Sequence, residues 1–172
     1  MRNLLPVAWT VLCGVAIAAS DARADETEIP LDKLPAKALA AVKARYPQGE
    51  IVGAAKEMDG KDLMYEVYVK EGGKQIDVIL NADGEIEVIE KEIEAKDLPK
   101  PVHKTLEKNY PKATIVSVEA IYEVEDGKED LEYYELELIT ADKKEIEVKI
   151  KPKGKIISDD DEKQDAQDEK KK

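Results

Sequence analysis

The chain of 172 residues has no phenylalanine, one cysteine, one tryptophan and one histidine. Cys13 and Trp9 both lie near the N-terminus, so the rest of the chain has no thiol. That excludes a disulfide, a thiolate nucleophile and a cysteine-ligated metal beyond that point. His103 alone makes neither a nucleophile–base–orienter triad nor the usual catalytic zinc site, which takes several His or Cys ligands. No glycine-rich phosphate cradle is present, and no basic patch. Asp and Glu number 39 against 27 Lys and Arg, a formal net charge of −12. Such a balance argues against nucleic acid and anionic membrane surfaces, and favours cations or basic protein partners.

What is present begins with a leader. Met1-Arg2-Asn3 is a short, positively charged start, Leu4 to Ala19 is apolar, and Ala22-Arg23-Ala24 offers small residues where a signal peptidase reads. This pattern is a secretory signal over 1–24, cleaved after Ala24. The apolar run contains Pro6 and falls short of the roughly 20 residues that span a bilayer, so no membrane insertion is expected after cleavage. Leu12 is too large for the position before a lipoprotein cysteine, which sets aside that reading of Cys13. Loss of Arg2, Arg23 and Asp21 makes the remainder one unit more negative. With no Phe, its core must be Ile, Val, Leu and Tyr.

The remainder repeats itself. ARYPQGEIV at 44–52 returns as KNYPKATIV at 108–116. Leu34-Pro35 matches Leu98-Pro99, and Tyr46-Pro47 matches Tyr110-Pro111. Further on, Tyr65-Glu66-Val67 matches Tyr134-Glu135-Leu136, Ile76-Asp77-Val78 matches Ile146-Glu147-Val148, and Gly84 matches Gly154. The spacing grows along the repeat because extra residues between Glu119 and Leu131 lengthen one hairpin. A tandem of two homologous units follows, at 25–92 and 93–158.

Each unit opens with a helix. Ala38, Val42 and Tyr46 form one apolar stripe with Leu39 alongside, and Val102, Leu106 and Tyr110 form the other. Pro47 and Pro111 end them. Four strands are predicted in each unit. In the first these are Glu50–Lys56, Leu63–Lys70, Lys74–Leu80 and Glu85–Ile89. In the second they are Thr114–Tyr122, Tyr133–Ile139, Lys144–Lys151 and, more weakly, 155–158. Turn signals such as Asp59-Gly60, Gly72-Gly73 and Asp126-Gly127 join them. Period-two alternation implies that one sheet face is covered by the helix and the other is wet. The fold class is therefore α+β, with one helix on a four-stranded antiparallel sheet, twice. Units of about 60 residues are marginal alone, so the two are expected to dock into one body with a continuous or nearly continuous sheet. From 159 to 172 the apolar pattern stops, and that segment reads as a disordered acidic tail.

These residues carry a resemblance. Leu-Pro near the helix start, Tyr-Pro at its end, a Tyr-Glu-Val strand, an apolar strand and then Asp-Gly-Glu-Ile resemble the PepSY-like family of secreted proteins. That family is similar in fold to the β-lactamase inhibitor protein. The resemblance covers Leu34 to about Ile157, and unit two departs from it with Lys153-Gly154 and its longer hairpin. It implies a periplasmic or exported binding or inhibitory module, and it brings no catalytic residues or cofactor.

The remaining candidate site is the sheet face away from the helices. Its predicted members are Met64, Glu66, Tyr68, Asp77 and Ile79 in unit one and Tyr133, Glu135 and Glu137 in unit two. Gln75, Glu145 and Glu147 also point that way, and Glu87 and Ile89 are candidates to join them. Tyrosine brings large contact area with few rotors, which suits a binding patch; ordinary cross-strand pairing explains the same residues. The leading expectation is a non-enzymatic module holding a basic protein or peptide. The alternative is weak Ca²⁺ binding by carboxylates, or an envelope stress role. No metal site is assigned: Asn81-Ala82-Asp83-Gly84 lacks the spacing of an EF-hand loop and reads as a hairpin turn.

Overall fold

In the computed structural model, residues 26–157 are described. The predicted signal segment and acidic tail lie outside them. Two ten-residue helices form where the stripes fall, α1 at Ala36–Arg45 and α2 at Lys100–Asn109. Each follows a one-turn 3-10 helix, Leu31–Lys33 or Ala95–Asp97. Pro35 and Pro99 occupy the N-caps, ahead of the first turn whose N–H groups have no helical partner. Each helix stops at the tyrosine before a proline, as the steric restriction on that residue demands. There the Tyr46 N–H donates to the Val42 carbonyl and the Tyr110 N–H to that of Leu106, both at 2.8 Å.

The strands are β1 (Thr27–Glu28), β2 (Glu50–Asp59), β3 (Asp62–Glu71), β4 (Lys74–Asn81), β5 (Ile86–Glu92), β6 (Thr114–Glu125), β7 (Lys128–Ile139) and β8 (Glu145–Ile150). They form one eight-stranded antiparallel sheet in chain order. The units merge where β5 pairs with β6, from Val88↔Glu123 to Glu92↔Glu119. The helices share one side of it. One core gathers Ala38 and Val42 with Val67, Val69, Val78, Leu80 and Ile89. The other gathers Val102 and Leu106 with Val118, Leu136, Leu138, Val148 and Ile150. Tyr122 packs against both.

The long hairpin has a structural role that its extra residues did not reveal. β6 and β7 run to 12 residues each, against 10 for β2 and β3. Their tip reaches back over unit one, where Val124 joins the first core. Glu129 accepts hydrogen bonds from Arg45 of α1 and Lys91 of β5, and the Lys91 ammonium lies 4.5 Å from the centre of the Tyr122 ring. Partial burial works to raise the Glu129 pKa. The bonds from Lys91 and Arg45 outweigh it and hold the carboxyl below its usual range.

Two features differ from the sequence reading. β1, two residues long, was not anticipated. The predicted fourth strand of unit two is reduced to the single bridge Ile150↔Ile156, beside the bond from the Ile157 N–H to the Lys149 carbonyl. Its counterpart β5 has a neighbour on each side, whereas residues 155–157 lie at a sheet edge with one. The matching glycines before these segments have a shared reason. Gly84 (φ 83°) and Gly154 (φ 88°) are left-handed and press on the first turns of α1 and α2. A Cβ would sit 2.8 Å from Lys37 Cβ in one case and 2.8 Å from the Pro101 carbonyl oxygen in the other.

Candidate binding face

Strand register builds the second sheet face residue by residue. Side chains directly opposite on paired strands share a face. One row runs Gly53, Tyr68, Asp77, Glu90, Ile121 and Tyr133 across β2 to β7. Beside it run Ala55, Glu66, Ile79, Val88, Glu123 and Asp130. A third row joins Glu119 on β6 to Glu135 on β7 and Lys149 on β8, and Glu137 pairs with Ser117 and Glu147. All eight candidate residues therefore lie on this face, away from α1 and α2, and on one continuous sheet.

The face is less wet than period-two alternation suggests. Met64, Glu66 and Asp77 are each 6% exposed and Ile79 is 9% exposed, although both helices pack on the other side. β-bulges at Ile51/Gly53, Ile79/Leu80, Ile115/Ser117 and Ile121/Tyr122 bend the strands. Gly53 leaves room on this face for the Tyr68 ring: a Cβ there would meet it at 2.9 Å.

At the centre, carboxylate oxygens of Glu66, Asp77 and Glu90 lie within 4.8 Å of one another. Gln75 Nε2 donates to both Asp77 oxygens, at 3.2 and 3.0 Å. The Tyr68 hydroxyl donates to Glu26 and lies 3.4 Å from Glu66 Oε2. Burial first, and then these acids, push the Tyr68 pKa well above the ordinary tyrosine range. Carboxylates this close repel each other, so the arrangement suits a positive group: an ammonium, a guanidinium, or a hard cation that takes oxygen ligands. Farther along, Lys149 Nζ sits 3.8 Å from Glu135 and 5.7 Å from the centre of the Tyr133 ring. Ser117 Oγ donates to Glu137 at 3.3 Å.

Glu90, Glu119, Ile121 and Glu123 also belong to this face, on β5 and β6, which a reading of each unit's middle strands does not reach. Ile89 is a correction: it is fully buried on the helix side. The bulge between Ile79 and Leu80 shifts β5 by one residue and reverses its parity. Glu87 sits beside that irregularity and accepts from Asn81 Nδ2 at 2.9 Å. Asn81 to Gly84 form a turn in which Asn81 Oδ1 accepts from the N–H groups of Asp83 and Glu85. His103 is half-buried and lines a notch of about 180 Å³ with Leu106 and Tyr110.

Two helices on one side of a bulged antiparallel sheet, with an acidic, tyrosine-bearing opposite side, define a tandem α+β module. Residues 21–86 and 63–158 match the β-lactamase-inhibitor-like, PepSY-like family. The chain belongs to that family. A DUF2874 family protein from Bacteroides uniformis shares the fold at 18% identity, over 72% of this chain and 86% of that one, with a TM-score of 0.58. A BLIP-like protein from Bacteroides fragilis does so at 16% identity, over 72% and 83%, with a TM-score of 0.54. A third, from Bacteroides eggerthii, carries the provisional description of a periplasmic protein; it has 15% identity over 72% and 86%, with a TM-score of 0.58. No curated protein sequence matches this chain.

Proposed function

We propose that this protein is an exported, non-enzymatic binding module whose open sheet face holds a basic protein or peptide. The single observation that carries the reading is the row Tyr68–Asp77–Glu90–Ile121–Tyr133, which sets acids and aromatic rings on one surface spanning both units. Family membership and the fold shared with the inhibitor-like structures support it. The N-terminal signal pattern and the description of the Bacteroides eggerthii relative support a periplasmic or secreted location. Capture from a periplasmic extract by the full chain tests it, beside Glu90→Lys on the open face and Glu107→Lys on α2. The reading expects capture that weakens with salt, is lost in the first variant and is kept in the second. Equal capture by all three overturns it.

A second reading has one observation behind it: the Glu66, Asp77 and Glu90 oxygens are close enough to share one cation. It predicts a rise in melting temperature with millimolar Ca²⁺ that Glu90→Gln abolishes. No rise with the native chain removes it.

A further inference from the structure

The helix side carries a basic ridge that the sequence reading passed over. On α2, Lys100, Lys104 and Lys108 fall at i, i+4 and i+8 and form one exposed row about 12 Å long. Glu107 is the only acid on that helix. The repeat sets these three lysines against Ala36, Ala40 and Ala44, the exposed row of α1. Like charges at i, i+4 weaken a helix, so the row is costly to α2 unless anions face it. On α1, Lys37 pairs with Asp83 and Arg45 with Glu129. Lys100, Lys104 and Lys108 have no ion-pair partner among the described residues.

The last described residues lie beside this ridge. Gly154 rests on α2, where Thr105 Oγ1 donates to its carbonyl at 2.7 Å. Residues 155–157 then run back along β8, held by the bond from the Ile157 N–H to the Lys149 carbonyl. β8 starts at the end of the sheet where α2 finishes: Ile146 pairs with Leu138, and Leu138 borders the same notch as Leu106 and Tyr110. At Ile157 the chain is therefore heading along α2 toward Lys108. Asp159, Asp160, Asp161 and Glu162 come next in the sequence. Continued pairing along β8 would set Asp159 opposite Glu147 and Asp161 opposite Glu145, like charge against like. The lysine row offers these acids the opposite charge. Four extended residues span about 10 Å, close to the length of the row. Five residues from Gly154 reach up to about 16 Å, enough to lay Asp159 beside Lys108.

We propose that the acidic segment 159–162 of this chain folds over α2 and clasps its lysine ridge, so that an acidic partner meets the ridge only when the segment is displaced. Charge complementarity identifies the occupant. The exit of the chain beside α2 holds it there at high local concentration.

The test is zero-length carbodiimide cross-linking of the full chain at low salt, read by peptide mass spectrometry on an equal mixture of isotope-labelled and unlabelled protein. Links from Asp159–Glu162 to Lys104 and Lys108 are expected to exceed those to Lys33 and Lys43, at and before α1, by about ten-fold. They should join peptides of one chain, and fall several-fold at about 0.5 M salt. Replacing Asp159→Asn, Asp160→Asn and Asp161→Asn together should shift the backbone amide signals of residues 100–112 and leave those of 36–45 unmoved. Links spread evenly over the two helices, links mainly between labelled and unlabelled chains, no links at all, or no shift on α2 in the triple variant would each overturn the clasp.

Discussion

Replacing Glu129 by Gln breaks the tie between the two units without changing the side chain's shape. Glu129 is 17% exposed, Lys91 29% and Arg45 36%. Solvent screens such groups only in part, so the pairs lie between the surface and buried limits. The amide keeps one acceptor but loses the charge facing two cations. A loss of about 2 kcal/mol at neutral pH follows from one charge-assisted bond removed and the other left without its anionic acceptor. In thermal unfolding of a domain this size, that amounts to roughly 6 °C. The pH dependence supplies the sharper check. The folded Glu129 pKa is depressed, so its contribution is complete above the unfolded value of about 4.3 and is lost as pH falls through the folded value. Native and variant chains should therefore converge in acid, since protonated Glu resembles Gln. Circular dichroism melts from pH 7 to pH 3 measure the gap. Equal stability at pH 7, or a gap that persists in acid, refutes the latch.

Gly84→Ala and Gly154→Ala should each cost about 2 kcal/mol in chemical denaturation, since both need a left-handed backbone and both press on a helix. Leu80→Ala, at a fully buried site of the first core, should cost about 3 kcal/mol by the same method. Among the described residues the buried Tyr46 hydroxyl makes no hydrogen bond of good geometry and has only a weak interaction with Arg45, so Tyr46→Phe should change stability by less than about 1 kcal/mol. Tyr68 should be among the last tyrosines to ionise in an alkaline absorbance titration, and Tyr68→Phe should delete that late step.

Much of the fold was legible because the chain states it twice. Val42 and Leu106, or Tyr46 and Tyr110, mark the same places in two units, and alternation at Tyr65, Val67 and Val69 fixes one face of β3. What escaped depends on contacts distant in sequence. The hairpin's extra residues could be counted, but their purpose lies in Glu129 meeting Arg45, 84 positions away. The bulge that turns Ile89 inward and Glu90 outward leaves no mark in β5 itself, since both alternations look plausible there. Strand 155–158 was read from its match to β5, yet β5 owes its length to a second neighbour that unit two lacks. Of the candidate face, the residues of the middle strands could be read, but their burial could not, because it depends on neighbours brought alongside from strands distant in sequence.

The most direct measurement is the side-chain chemical-shift footprint of the full chain in complex with a basic protein recovered by cross-linking in its native compartment. The account predicts perturbations at Tyr68, Asp77, Glu90, Ile121 and Tyr133, running without a break across the β5–β6 junction. A footprint confined to the outer surfaces of α1 and α2, or to one unit alone, would contradict it.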